Sequence, residues 1–249
     1  PWLNSILHES YTSGTNLGAA FGELISRLLG GCGLFVVEAC SKGLRRAGKE
    51  LFQRAALESG AENEAFLAAC GELSALGYPM QVNPLPGETS LFLIENGSRE
   101  KLLADSSGEG FSLKPSGVRL SRKELIERLD RSPESFSPGV LLRPLLESHV
   151  FGSLCYVAGP GEISYYAQMG GLYELYGLER PIIYPRLSGF LIESKIGKAL
   201  DKYSLSPADI QSGPQKAADR ILSTDTAVQG ILERLGKMRE DNRQVLSEI

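Results

Sequence analysis

A continuously apolar run, Leu154-Cys155-Tyr156-Val157-Ala158, passes directly into Gly159-Pro160-Gly161 and then into Glu162-Ile163-Ser164-Tyr165, with Gln168 just beyond. No other stretch constrains the chain as strongly. It predicts a buried strand, a tight turn and the start of a helix, with proline where its missing N–H is an orphan anyway. A second short apolar run, Ile182-Ile183-Tyr184, follows a helical pattern over about 161–176, the length expected of a βαβ crossover. Proteins of the α/β class place ligand sites at the carboxyl end of such a strand, facing the helix N-terminus. The turn is neither a GxGxxG nor a Walker loop, so its spacing by itself names no ligand.

Within that helix Ile163, Tyr166, Met169 or Gly170, Tyr173 and Tyr176 make a stripe at helical spacing, read as core packing. Glu162, Tyr165 and Gln168 project elsewhere, the first two beside whatever occupies the strand's carboxyl end. Each candidate also has a plainer reading. Gly159-Pro160-Gly161 can be only a sharp turn. Glu162 can complement the helix dipole, although a carboxylate there disfavours an anion and suits an ammonium. Arg143, before Pro144, is either a carboxylate or phosphate ligand or half of a structural ion pair. Arg186 and Ser188 follow the second strand, where a functional loop is expected. His149 reads as packed rather than catalytic, and no residue is assigned as catalytic.

Upstream, Leu17, Phe21, Leu24 and Leu28 predict a helix from about Asn16 to Leu29. Gly30, Gly31 and Gly33 break it, and Leu34-Phe35-Val36-Val37 reads as a short strand covered on both faces. A second helical region spans Ser41 to Leu76 and ends at Gly77 and Pro79. From Gln81 to Leu120 the texture changes. Pro84, Pro86, Gly87, Gly97, Gly108, Gly110, Pro115 and Gly117 punctuate short apolar runs, and Asn96-Gly97 is a hairpin signal. Ser121 with Glu124 predicts a capping box opening a helix to about Leu129.

Composition excludes several classes. At a net charge of −4, with 42% apolar and 22% charged residues, nucleic acid and anionic membrane are not expected partners. Lys42, Arg45, Arg46 and Lys49 cluster, but Glu50 follows, and the cluster reads as a solvated helix face. No run approaches the roughly 20 apolar residues of a membrane span, and no signal peptide is seen, so the expected location is cytoplasmic. The four cysteines, Cys32, Cys40, Cys70 and Cys155, form no metal-ligand spacing even with His8 and His149, so no metal is predicted. Cys155 is expected to be a small buried side chain.

Toward the C-terminus Ile221, Val228, Leu235, Asn242 and Ile249 recur every seven residues. Thr224, Ile231, Met238 and Val245 stand three residues after the first four of these, a coiled-coil seam with Thr224 and Asn242 as its polar exceptions. Its partner helix lies in a second subunit or in a further part of the same polypeptide. The chain opens on Pro1-Trp2-Leu3 and closes within a helical pattern from Glu240 to Ile249, so it reads as an excerpt of a longer protein.

Three ordered motifs together are more specific than any one. They are Phe136-Ser137-Pro138-Gly139-Val140-Leu141-Leu142-Arg143-Pro144, then Tyr156 through Tyr165 with Gln168, then Pro185-Arg186-Leu187-Ser188. With Gly77-Tyr78, Gln81-Val82 and Leu91-Phe92, this set resembles the cysteine-adding enzymes of bacillithiol biosynthesis, the BshC family. The resemblance spans most of the chain. It implies an α/β fold in which part of a Rossmann-like parallel-sheet core carries a small β-rich insertion and a C-terminal coiled-coil helix. The corresponding division is a mainly helical core segment at 1–80, a β-rich connecting insertion at 81–120, core with the βαβ ligand unit at 121–212, and the start of the coiled coil at 213–249. The first half of the core, as the family has it, is not matched here.

The implied activity is a ligase that joins L-cysteine to the amine of glucosaminyl malate, the last step of bacillithiol biosynthesis, with ATP or ADP as a possible nucleotide. The implied substrate-binding set is Arg143, Tyr156, Gly159, Pro160, Gly161, Glu162, Tyr165, Gln168, Arg186 and Ser188, and the implied assembly is a homodimer through the coiled coil. Gly139, Glu147 and Gly152 depart from the family's usual asparagine, glutamine and proline. The competing reading is a non-catalytic coiled-coil dimerisation or scaffold module whose α/β part has lost its chemistry.

Overall fold

Asn16 accepts a hydrogen bond from the Ala19 N–H at 2.9 Å and so opens helix α2 (Leu17–Leu29), after a first helix α1 (Trp2–Ser10). The molecule is described here from a computed structural model covering residues 2–83, 87–107, 110–224 and 226–247, the side chains of 224, 226, 227 and 241–247 excepted. Pro84, Pro86, Gly108 and Ile249, and the side chains of Thr224, Asn242 and Val245, therefore lie outside the described residues. The described chain divides into two units, ending and beginning at Arg186 and Leu187.

In the first unit the helical region after Ser41 resolves into α3 (Lys42–Ala47), α4 (Lys49–Leu57) and α5 (Ser59–Ala75). Gly77, at a φ of +82°, turns the chain out of α5 in the left-handed conformation that glycine adopts without strain. Four antiparallel strands follow: β1 (Glu88–Glu95), β2 (Ser98–Ala104), β3 (Gly110–Lys114) and β4 (Arg119–Ser121). Asn96 and Gly97, at φ values of +50° and +78°, make the two-residue hairpin between Glu95 and Ser98. Ser121 and Glu124 form the anticipated capping box of α6 (Arg122–Arg131). A fifth strand, β5 (Phe136–Pro138), pairs with β1, giving the sheet order β4-β3-β2-β1-β5.

The chain then enters α7 (Leu142–Phe151), β6 (Cys155–Ala158), α8 (Pro160–Ala167), α9 (Gly170–Tyr176) and β7 (Ile182–Pro185). β6 and β7 pair in parallel from Cys155 opposite Ile182 to Ala158 opposite Pro185, completing the βαβ unit. One apolar core joins the two sheets' helices. Phe52, Phe66, Leu91, Leu102, Leu125, Leu129, Phe136 and Leu142 are fully buried and continuous with Tyr166, Met169 and Tyr173. Each such side chain contributes roughly 1.5–3 kcal/mol by leaving water. At the α5–α9 crossing a Cβ on Gly171 would stand 2.9 Å from the Ala65 carbonyl oxygen, so glycine sets how closely these helices pack.

Several expectations need correction. Leu34–Val37 is not a strand: the run is irregular and Phe35 is 90% exposed. Four apolar residues form a ladder only against a partner, and among the described residues none pairs with them. The helix expected over 161–176 is two helices, broken between Ala167 and Gly170. The strand at 154–158 is not buried: Leu154, Cys155 and Val157 are exposed and Ala158 alone is fully buried, because the two-stranded parallel sheet leaves its outer faces uncovered. His149 is exposed on α7, not packed. The basic cluster at 42–49 is not merely solvated: Arg46 pairs with Glu134 at 2.9 Å and Lys49 with Asp130 at 2.8 Å, while Arg45 donates to the Glu134 carbonyl at 3.1 Å. Glu134 and Asp130 come from 80 and more residues away, so no local pattern signals the pairing.

The second unit holds α10 (Ser194–Lys202), α11 (Pro207–Gln211), α12 (Pro214–Thr224) and α13 (Thr226–Ser247). Ile231, Leu235 and Met238 are exposed along α13. Among the described residues no helix is long and apolar enough to cross a membrane.

Candidate functional site

The carboxyl end of β6 closes on Ala158 and Gly159, both buried, and Pro160 takes the first position of α8. Glu162, in the first turn, folds back. Its Oε2 accepts the Gly159 N–H at 2.8 Å, and its Oε1 accepts the Tyr156 hydroxyl at 2.6 Å. One carboxylate thus ties the strand's last turn to the side chain that precedes it on the same strand.

Arg143, in the first turn of α7, reaches the same place from the neighbouring helix. Its Nη2 donates to the Tyr165 hydroxyl at 2.6 Å and lies 3.5 Å from the Tyr156 hydroxyl, and its Nη1 pairs with Glu147 at 2.5 Å. The Tyr156 and Tyr165 rings both pack on Tyr166, at centroid distances of 4.7 and 5.3 Å. Arg186 follows β7. Its N–H donates to the Ala158 carbonyl at 2.7 Å, and its guanidinium lies against Gly159. Glycine at 159 leaves Arg186 in place: its φ of −76° is open to any side chain, but a Cβ there would displace the Arg186 guanidinium.

The electrostatics fix protonation states. Glu162 is held below the usual carboxylate range, first by the Gly159 N–H and then by the Tyr156 hydroxyl, with Arg143 and Arg186 adding to it. Burial pushes the Tyr156 and Tyr165 hydroxyls up, so both stay protonated, Tyr156 donating to Glu162 and Tyr165 accepting from Arg143. Burial works against the charge on Arg143, but the Tyr156 hydroxyl and the Glu147 carboxylate outweigh it and hold its pKa above the ordinary arginine value. The ionised Glu162 carboxylate, the charged Arg143 guanidinium and the two hydroxyls form a set suited to orienting a polar ligand.

The structure thus brings together Arg143, Tyr156, Gly159, Glu162 and Tyr165, with Arg186 against Gly159. Pro160 and Gly161 form the exposed lip of the turn. Gln168 points inward instead, 1% exposed, and binds the backbone of Gln81 and Val82. Ser188 belongs to the second unit, where it is exposed. The sequence does not single out Glu147 as a site residue, although its i,i+4 spacing from Arg143 is a readable ion-pair signal. Among the described residues no group of three histidine, cysteine or carboxylate side chains could hold a metal ion.

Comparison with known proteins agrees with this architecture. Residues 2–187 match the family model described as "Bacillithiol biosynthesis BshC, N-terminal Rossmann-like domain". The chain is 40% identical over 214 residues to "Putative cysteine ligase BshC" of Salinibacter ruber, covering 86% of this chain and 38% of that protein. Proteins of the same name from Carboxydothermus hydrogenoformans and Koribacter versatilis are 34% and 36% identical, over 87% and 88% of this chain and 40% of each relative. The chain spans about two-fifths of the length of these curated relatives.

Proposed function

This chain belongs to the BshC family of bacillithiol biosynthesis, and from that premise we propose that it carries a substrate-orienting part of a cytoplasmic ligase joining L-cysteine to the amine of glucosaminyl malate, the last step of the pathway. The observation that carries the reading is the ionised Glu162 carboxylate at the end of β6, bracketed by Arg143 and Arg186 and bonded to Tyr156. On this reading Glu162 accepts from the substrate's amine or a sugar hydroxyl. Arg186 and Arg143 attract the malyl carboxylates, and Tyr165 and Tyr156 fix the Arg143 guanidinium by their hydroxyls. The lip at Pro160 and Gly161 lets the substrate approach the backbone closely.

In the reaction the substrate nitrogen bonds to the cysteine carboxyl carbon, a carboxyl oxygen leaves and the amine loses a proton. That oxygen is a poor leaving group unless activated, for which a ligase draws on ATP. The first turn of α8 does not fit a triphosphate. Pro160 offers no N–H, the Gly159 N–H is taken by Glu162, and a negative carboxylate stands where a phosphate would lie. On this reading the residues of this turn orient the acceptor amine rather than hold a nucleotide's phosphates.

The exposed apolar positions of α13, Ile231, Leu235 and Met238, support pairing of two copies through a coiled coil. The experiment that tests the function is an endpoint assay on the full-length protein carrying this chain. It contains cysteine and glucosaminyl malate, with and without ATP, and bacillithiol is detected by thiol labelling and mass spectrometry. Product is the expected result, and its dependence on ATP reads the activation route. Absence of product from folded protein in both arms overturns the reading.

A further inference from the structure

Past α5 the chain leaves regular structure, and the backbone groups of Gln81 and Val82 belong to no helix or strand. Such groups need partners when they run against a core. Gln168 supplies them. Its Oε1 accepts the N–H of Gln81 at 3.2 Å and of Val82 at 3.1 Å, and its Nε2 donates to the Val82 carbonyl at 3.1 Å. A glutamine amide, one acceptor and one donor side by side, serves the segment as the edge of a neighbouring strand would. The Cys70 and Met80 sulfurs, 3.0 and 3.3 Å from Nε2, complete its surroundings. The contact joins residues 86 and 87 positions apart, with the Gln168 side chain buried and the 81–82 segment running along the edge of the core.

The consequence reaches the surface. Val82 is held from within, while Gln81 is exposed and its side chain turns over the first turn of α8. A Cβ on Gly161 would stand 3.9 Å from Gln81 Nε2, the nearest group from outside the turn. Gln81 thereby brings a neutral donor and acceptor to the lip at Gly161, one residue before Glu162, whereas the polar side chains gathered around Glu162 are charged or phenolic.

We propose that Gln168 is a positioning residue which, by gripping the backbone at 81–82, sets Gln81 over the turn at Gly161 as a further substrate-binding side chain, suited to the hydroxyls of a sugar. This rests on the reading of the β6 carboxyl end as the aminosugar site. Gln168 touches no substrate. It acts only through Gln81, and the two residues therefore behave as one unit under mutation.

The test measures glucosaminyl malate binding to the full-length protein by isothermal titration calorimetry, for wild type, Gln81→Ala, Gln168→Met and the double variant. KM and kcat are measured in parallel, with thermal melting of each. Gln81→Ala weakens binding about fivefold to tenfold, the scale of one lost hydrogen bond, raises KM to match, and leaves kcat and melting nearly unchanged. Gln168→Met weakens binding similarly and speeds amide hydrogen exchange at Gln81 and Val82, and the double variant is no weaker than the worse single one.

Unchanged binding in Gln81→Ala, or losses that multiply in the double variant, overturns the proposal while leaving the site intact. Should Gln168→Met fail to fold, Gln81→Ala and Gln81→Glu carry the test: Gln81→Glu must weaken binding more than Gln81→Ala, since it sets a third carboxylate facing an acidic substrate, and equal binding in the two overturns the contact. Binding without turnover in wild type overturns the ligase reading alone. No binding by wild type overturns both.

Discussion

The guanidinium of Arg186 lies against the α-carbon of Gly159, so closely that a Cβ at position 159 would stand 2.9 Å from Arg186 Nη2 and 3.3 Å from its Cζ. The contact couples the end of β7 to the turn after β6 and leaves room for hydrogen only. Because the guanidinium ends a flexible side chain, Gly159→Ala is expected to displace Arg186 rather than break the fold. Stability should fall by about 1 kcal/mol or less, and affinity for glucosaminyl malate by about tenfold through the lost cation. Chemical denaturation and calorimetry on the same preparation check both numbers. Full affinity in the variant would place Arg186 outside the ligand's reach.

Glu62, outside that turn, offers a pH readout. It lies in the first turn of α5, 4% exposed, and accepts the Tyr176 hydroxyl from α9. Burial pushes its pKa from 4.5 up to about 7, partly opposed by hydrogen bonds from Tyr176 and Ser90. A carboxyl whose folded pKa is raised favours folding fully below about 4.5, and that contribution is lost as pH rises through about 7. Glu62→Gln keeps a partner for Tyr176 without the charge. Relative to wild type it should gain stability between pH 5 and 8, approaching an order of 3 kcal/mol at about 1.4 kcal/mol per unit. Urea titrations of both proteins across that range measure the difference, and a difference independent of pH would sink the assignment.

Two glycines, one on α9 and one on α5, should respond with opposite signs. At Gly171 a Cβ meets the Ala65 carbonyl oxygen at 2.9 Å, a backbone atom that cannot step aside, so Gly171→Ala should destabilise by about 1–3 kcal/mol. At Gly71, within α5, nothing lies within 4 Å of the added Cβ. There Gly71→Ala should stabilise by up to about 1 kcal/mol through helix propensity. Denaturant midpoints of the pair decide whether backbone contact is what demands glycine at 171.

The α13 seam predicts an assembly. Leu235, 56% exposed, stands one heptad after Val228, and Leu235→Glu should convert a dimer to a monomer by placing like charges across the seam. Sedimentation of wild type and variant at micromolar concentrations checks this. A wild type that sediments as a monomer would exclude homodimerisation through this helix.

Much of the site was legible before any fold was known. The apolar run at 154–158, the Gly-Pro-Gly turn and the run at 182–184 specify a parallel βαβ unit, because strand pairing and helix entry there follow from short-range rules. Glu162 and Tyr156 lie within one turn of that unit, so their meeting is nearly local. Arg143 was legible only as a candidate, and its choice of Tyr165 over a distant carboxylate depends on how α7 docks. Leu34–Val37 shows the opposite failure: composition reads as strand, but a strand exists only where another chain segment offers its edge.

Local pattern thus determined the elements, their caps and the turn on which the candidate site stands. Asn16, Ser121, the Asn96-Gly97 hairpin and Gly159-Pro160-Gly161 act within a few residues, where backbone sterics and hydrogen bonding leave few alternatives. Long-range packing settled the rest. It turned Gln168 away from Glu162 and Tyr165 into the core, brought Glu134 to Arg46, and set Arg186 on Gly159. Those contacts join residues separated by tens of positions, and their energies depend on which surfaces come together. A one-dimensional pattern carries the spacing of side chains along an element, whereas only the docked elements give each polar group its partner.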